Sequence, residues 1–311
     1  MKNTRALIEG AILISIFAII SLLVVYLPLL GAILLFALPL PIILYTIRHG
    51  LKPGVWMGLA SLPVSFIVGS FTGLTGAFMA ACTGIAMGYY FKKKQPGYAV
   101  AAGAMAYVLC GVVFFVVSIV FLNMNVIDTT MSQLRESMSL AETMSKRLGY
   151  GDQFGKQIKL MESQLSTVQY LFPTVLVLTG IVFSFLSYAM ARPLLRRFSP
   201  DLPKMKPFRE LKLPQSVVIL YFIVTILGFL PLEKGHMLYS VSLNGGFILS
   251  LLICIQGLAF IFFYCREMEM PKAVPVLAIV LGVLFPLILS VYLLLGIIDI
   301  GFNIRNKVTR N

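Results

Sequence analysis

Charge is what this chain has least of. Only 12% of its 311 residues are Asp, Glu, Lys or Arg, about half the roughly 25% of an ordinary soluble domain. Hydrophobic residues make up 59%. A water-soluble fold of this length would leave large apolar patches exposed and would aggregate; a lipid solvent removes the difficulty. Histidine is nearly absent: His49 and His236 lie in separate short turns and do not make a metal site. The four cysteines, Cys82, Cys110, Cys254 and Cys265, lie in or beside apolar runs and form no CxxC pair. That excludes a zinc or disulfide framework and fits small buried hydrophobes. There is no Walker A sequence, no GxSxG and no HExxH. No apolar run carries paired carboxylates or a proton-relay ladder, which weakens an ion-coupled transport reading. The chain is therefore expected to be no enzyme and to need neither cofactor nor metal.

What is present is a series of apolar runs. About 20 such residues cross the hydrocarbon of a bilayer. That ruler gives nine candidate spans, near 6–27, 29–47, 54–70, 73–91, 98–122, 168–191, 215–232, 238–264 and 274–299. The first is too long for a typical signal-peptide core and reads as a retained span. The fold class is all-α, a polytopic bundle of eight to nine spans.

The formal net charge of +13 would suggest nucleic acid in a soluble protein. Here the basic residues sit in short loops without aromatic interleaving, so they read as topology signals and anionic-lipid contacts. Lys2 and Arg5 precede the first span. Arg48 and Lys52, then Lys92, Lys93 and Lys94, then Arg192, Arg196 and Arg197, then Arg266 follow the second, fourth, sixth and eighth. Alternating spans place all of these on one side, and the positive-inside rule makes it the cytoplasm of a bacterial cell membrane, with the N-terminus there. One feature disagrees. A ninth span would put Arg305, Lys307 and Arg310 outside. Pro286 offers a place for a break, so eight spans with a cytoplasmic C-terminus remain open.

The chain divides into a six-span unit over 1–191, a basic connector over 192–214 and a C-terminal membrane unit of two to three spans over 215–311. The connector holds seven Lys/Arg against two Asp/Glu. Its prolines, at 193, 200, 203, 207 and 214, argue against one continuous helix. Between the fifth and sixth spans, over 123–167, apolar residues recur at spacings of 3 and 4. The first arm carries Ile127, Met131, Leu134, Met138, Ala141, Met144 and Leu148. The second carries Phe154, Ile158, Met161, Leu165 and Val168 after a glycine-rich turn. This predicts an extracytoplasmic antiparallel helical hairpin whose stripes either bury each other or offer a docking face.

The fourth span has small residues four apart at Gly76, Ala80, Gly84 and Gly88, and the first has Ala6, Gly10 and Ala11. Such patches let helix backbones approach closely, within the chain or against a partner. Ionisable residues at membrane depth are few. Glu9 lies one turn after Arg5, and Asp299 lies near Arg305. Both pairs fit anchors at a boundary as well as functional sites. The deeper amides, Asn244 and Gln256, fit bridges between helices.

The stretch "TRALIEGAILISIFAIISLLVVYLPLLGAILLFALPLPIILYTIRHGLKPGVWMGLASLPVSFIVG" and the ending "LLLGIIDIGFNIR" resemble the YybS-like family of uncharacterised Firmicute multi-pass membrane proteins. That family brings no established activity. More distantly, the first half resembles the substrate-binding S components of energy-coupling-factor (ECF) transporters. Six spans end at Ala191, and Ala6, Gly10 and Ala11 stand where that family's first helix meets a transmembrane coupling subunit driven by separate ATPases. The long hairpin and the added C-terminal spans depart from that pattern. The resemblance implies a non-enzymatic subunit binding a small molecule for uptake, with a pocket at the outer ends of spans one, three, five and six. Tyr26, Ser70, Thr72, Asn123, Asn125, Gln164 and Tyr170 are the polar or aromatic residues there. The alternative is a scaffold of envelope assembly that recruits partners through its hairpin and basic connector.

Overall fold

The computed structural model describes residues 2–121, 123, 125–147, 167, 169–198, 205, 207–231, 233, 235–271, 273–302 and 304–305. Among these residues the chain is helical, without strands. It forms two compact units, Met1–Leu160 with Val175–Met205, and Met161–Thr174 with Lys206–Asn311. Six described helices are long and apolar enough to cross a membrane: Thr4–Tyr26, Leu29–His49, Leu51–Lys92, Pro96–Val120, Gln169–Arg197 and Met237–Glu267. One bent pair adds a seventh.

In the first unit, α1 (Lys2–Tyr26) is followed by α2 (Pro28–Leu34), a 3-10 turn (Leu35–Ala37) and α3 (Leu40–His49). Pro28 starts α2 and Pro39 precedes α3, positions where a missing N–H costs nothing. Gly50, at φ 97°, turns the chain into α4 (Leu51–Lys92). The hydrogen-bond pattern of α4 is continuous, yet Gly69 and Ser70 leave helical geometry, Ser70 at φ 52° and ψ −139°. A Cβ on Gly58 would lie 3.3 Å from the Cβ of Ala81. On a straight helix those residues would be about 35 Å apart. The chain therefore reverses at Gly69–Ser70, and α4 is two antiparallel arms covering the predicted third and fourth spans.

Helix α3 lies at the centre of this unit. Ile42, Ile43 and Thr46 are fully buried. Gly84 packs on Ile42 and the Pro39 carbonyl, and Gly88 on Thr46 and the Ile43 carbonyl. α5 (Pro96–Val120) and α7 (Phe172–Phe198) run antiparallel from Val175 onward. Gly103 meets Ser184, Gly180 meets the Ala104 carbonyl, and Gly111 meets Leu176. The Ser184 hydroxyl donates to the Val100 carbonyl at 2.8 Å. α7 continues through Pro193 to Phe198. The first turns of the connector are therefore helical: one proline near a helix end forfeits a single bond, and Leu195, fully buried, holds the last turns down.

Only the first arm of the expected external hairpin is described, as α6 (Val126–Arg147). The second arm, with Gln164, lies outside the described residues. On α6, Ile127, Met131 and Met138 are half-buried, but Leu134, Ala141 and Met144 are exposed. The predicted stripe is thus kept only in part, and near the end of the arm Glu142 and Ser145 are less exposed than Ala141 and Met144.

The second unit departs furthest from nine simple spans. The predicted run 215–232 is a short helix, α8 (Ser216–Gly228), preceded by non-helical chain from Leu211 to Pro214. Next comes α9 (Met237–Glu267). The run 274–299 is not one straight helix. It is α10 (Ala273–Leu284) and α11 (Pro286–Phe302), bent by 118°. The Tyr292 hydroxyl reaches the Ala278 carbonyl across the bend. Pro286 cannot donate back into α10, so the helix stops there. α11 runs parallel to α9: Cys254 meets Leu289, Gly257 meets Tyr292, Gln256 meets Asp299, and Phe263 meets Arg305. Arg305 therefore returns to the end of α9 that the connector occupies. Chemical labelling should place a cysteine at Glu210 and a tag after Asn311 on the same side of the membrane. Labelling from opposite sides would restore an unbroken last span.

Candidate functional site

Few of the residues expected to bind a ligand gather around anything. Tyr26 is exposed at the end of α1. Ser70 forms the reversal of α4, and the Thr72 hydroxyl donates to the Gly69 carbonyl at 2.8 Å. Asn123 adopts a left-handed turn at φ 49°. The Asn125 side chain accepts from the Ile127 amide at 3.1 Å, stabilising the start of α6. In the second unit, Tyr170 lends its carbonyl to Asn244 at 2.8 Å and its ring to the edge of Tyr239. These residues serve turns, helix starts and helix bridges, roles that the same polar residue types favour at chain ends.

The small-residue patches are resolved in the same way. Gly10 is buried, and a Cβ there would lie 3.3 Å from the Tyr45 ring. The Ala6 carbonyl accepts from the Tyr45 hydroxyl at 3.4 Å. This part of the patch is covered by α3, while Ala11 is exposed. Ala80, Gly84 and Gly88 are buried within the unit, and only Gly76 has open space beside its Cα. Glu9 has more partners than Arg5. It meets Arg5 and Arg48 at 3.3 Å each and His49 at 2.9 Å. His49 and Arg48 come from α3, so the cluster ties two helices together. At the end of α4 the Lys93 ammonium lies 4.3 Å from the Tyr89 ring centroid. Its bond to the Tyr89 hydroxyl raises its pKa above the ordinary lysine value.

Two polar constellations of the second unit are closed. Asn244 is saturated. Its carbonyl oxygen accepts from the Thr174 amide at 3.1 Å and hydroxyl at 2.7 Å, and its NH₂ donates to the Tyr170 and Ser240 carbonyls, both at 2.8 Å. The second is built on Asp299 and Arg305, 4% and 3% exposed. Arg305 Nε and Nη2 reach Asp299 Oδ2 at 2.9 and 2.7 Å, and Nη1 donates to the Arg209 carbonyl at 2.6 Å. Gln256 donates to Asp299 at 2.6 Å and to the Leu211 carbonyl at 3.1 Å, and accepts from the Leu213 amide at 3.1 Å. Buried non-helical backbone needs such partners. This lock supplies them.

One place is open. Between α8 and α9 lies a cleft of about 560 Å³ lined by Tyr221, Thr225, Tyr239, Ser242, Phe247 and Ser250, with glycines at 228 and 246. α8 contributes Tyr221, Thr225 and Gly228, one helical face. α9 contributes 239, 242, 243, 246, 247 and 250, again one face. The glycines hold the floor open: a Cβ on Gly246 would touch only Val224, at 3.8 Å. Hydropathy missed this site because hydroxyls barely lower the apolar average. The signal was their i, i+3, i+4 spacing.

A multi-pass α-helical membrane protein with a polar lock and one hydroxyl-lined cleft is the class these features define. The chain belongs to the DUF2232 family of predicted membrane proteins, whose profile matches residues 15–300. It is 64% identical to "Uncharacterized protein YybS" of Bacillus subtilis (strain 168), over 99% of this chain and 100% of that protein. No solved structure matches the chain.

Proposed function

We propose that the protein is a small-molecule-binding subunit of an uptake system in the bacterial cell membrane, and that the α8–α9 cleft is its binding place. The observation that carries this reading is the cleft itself. Its volume of about 560 Å³ falls within the roughly 300–1,000 Å³ of small-ligand sites, and its wall mixes apolar surface with a few convergent hydroxyls. In this reading the chain binds and does not catalyse. Energy comes from a transmembrane coupling subunit and its ATPases, the N-terminus is cytoplasmic, and the basic connector and Lys93 rest on anionic lipid. Gly10, under Tyr45, is not offered as the docking point.

A second reading, a scaffold for envelope assembly, draws on Leu140 and Met144, which α6 leaves 59% and 66% exposed. Purification from native membranes separates the two. Uptake predicts a coupling subunit and ATPases in the complex and a bound small molecule detectable by mass spectrometry. The variant Gly246→Leu, which fills the cleft without meeting backbone, should reduce that molecule about tenfold or more, equivalent to about 1.4 kcal/mol. A protein that carries nothing, and whose deletion alters cell shape but no uptake, belongs to the scaffold reading.

A further inference from the structure

We propose that the ligand of the cleft is an uncharged amphiphile, a molecule with a hydroxyl or ester headgroup and an apolar chain, that enters sideways from the bilayer. This rests on the reading of the cleft as the binding place and adds the chemical class.

The lining carries the argument. Among its described residues none is ionisable apart from the phenols of Tyr221 and Tyr239. An anion or cation placed there would lose its hydration and meet no counter-charge among the described lining residues. Basic residues are plentiful elsewhere in this chain, so the neutrality of this wall is a local feature. Hydrogen-bonding capacity is nevertheless ample. The hydroxyls of Thr225, Ser242 and Ser250 donate to the carbonyls of Tyr221, Val224 and Phe247 at 2.7, 3.3 and 2.9 Å. That uses their protons and leaves their lone pairs as acceptors. The phenols are placed differently: neither the Tyr221 nor the Tyr239 hydroxyl bonds another described residue, so both can donate. Two donors with three acceptors suit a headgroup that both gives and takes hydrogen bonds, as a free hydroxyl beside an ester does.

The rim points to the route. Leu230 and Phe247 line the cleft and are 53% and 46% exposed. The neighbouring face of α8 presents Phe222, Ile223 and Ile226, all exposed. In a helix as apolar as α8 that exposed face meets acyl chains. A ligand can therefore leave its chain in the bilayer and seat only its headgroup, which suits a cavity of this size. A hydrophilic solute would have to cross the same apolar rim.

The test uses the full chain reconstituted in phosphatidylcholine vesicles with two photoactivatable lipids of identical chains, a diacylglycerol and a phosphatidic acid. Diacylglycerol should label the segment from Met237 to Ser250 at least about fivefold more than phosphatidic acid. Gly246→Leu, and the shape-preserving pair Tyr221→Phe with Tyr239→Phe, should each reduce that labelling severalfold. Equal or stronger labelling by phosphatidic acid overturns the inference, as does labelling indifferent to both variants. The two levels fail differently. A charged or water-soluble molecule lost from Gly246→Leu in mass spectrometry leaves the cleft as the binding place and removes the amphiphile. No loss by either assay removes the cleft as well.

Discussion

Alanine at Arg305 is expected to destabilise the C-terminal unit by about 3–5 kcal/mol, the range for removing one partner of a buried ion pair. The size follows from what is left behind. Among the described residues Asp299, 4% exposed, would keep the Gln256 amide as its partner, and a buried carboxylate without its counter-charge is costly. The Arg209 carbonyl would lose its donor too. The loss should therefore spread from α11 to the non-helical chain before α8. Asp299→Ala is expected to cost a similar amount by the mirror argument. Replacing both residues by apolar ones of similar size should cost less than either single change, because no buried charge remains. Unfolding in mixed micelles, followed by the helical signal, measures the four states of this cycle. Thiol labelling of Leu211→Cys reports release of the connector. Additive single and double effects, or a connector that stays protected in Arg305→Ala, would show that the pair does not lock that segment.

The sequence made part of this lock legible. Asp299 and Arg305 are close in the chain, and they read as an anchor pair because each alone is expensive in lipid. Their other partners are remote: Gln256 lies 43 residues before Asp299, and the Arg209 carbonyl 96 before Arg305. No local pattern announces a backbone carbonyl as a partner. The break at Pro286 was visible as a proline in an apolar run, whereas the Tyr292–Ala278 bond that spans it joins residues 14 apart and was not. For the α4 reversal the signal was stronger, since the turn at Gly69–Ser70 falls midway between Lys52 and Lys92. The structure does not gather the described candidate ligand residues at one place, for a physical reason. Depth and polarity were the only criteria available, and polar residues near span ends are also those that turn chains and stabilise helix ends. The cleft lay hidden because its hydroxyls are split between two helices, and only their packing brings Tyr221 and Tyr239 to one space.

Glycine substitutions give the sharpest contrast. In the sequence Gly76, Gly257, Gly296 and Gly301 are alike, single small residues in apolar helices. In the structure they are not. A Cβ on Gly257 would overlap the Tyr292 carbonyl, and one on Gly296 the Ile253 carbonyl. Both obstacles are backbone, which no rotamer change can move aside. Alanine at either site has to push α9 and α11 apart along their glycine contact, and it strains the Gln256–Asp299 bond a turn away. A loss of about 2–3 kcal/mol is expected for alanine, near the upper end for overpacking, and failure to fold for leucine. Gly76 and Gly301 meet nothing within 4 Å. Alanine there is expected to be neutral or stabilising by up to about 1 kcal/mol, since it removes the helix penalty of glycine. Leucine should also be tolerated at both. Melting of the four alanine variants in one detergent tests the ordering, and a Gly257→Ala protein as stable as Gly76→Ala would refute the α9–α11 contact. A variant at Gly76 that melts normally in detergent yet loses function in the membrane would carry a different message. It would mark the open end of the small-residue stripe as the place where another chain sits.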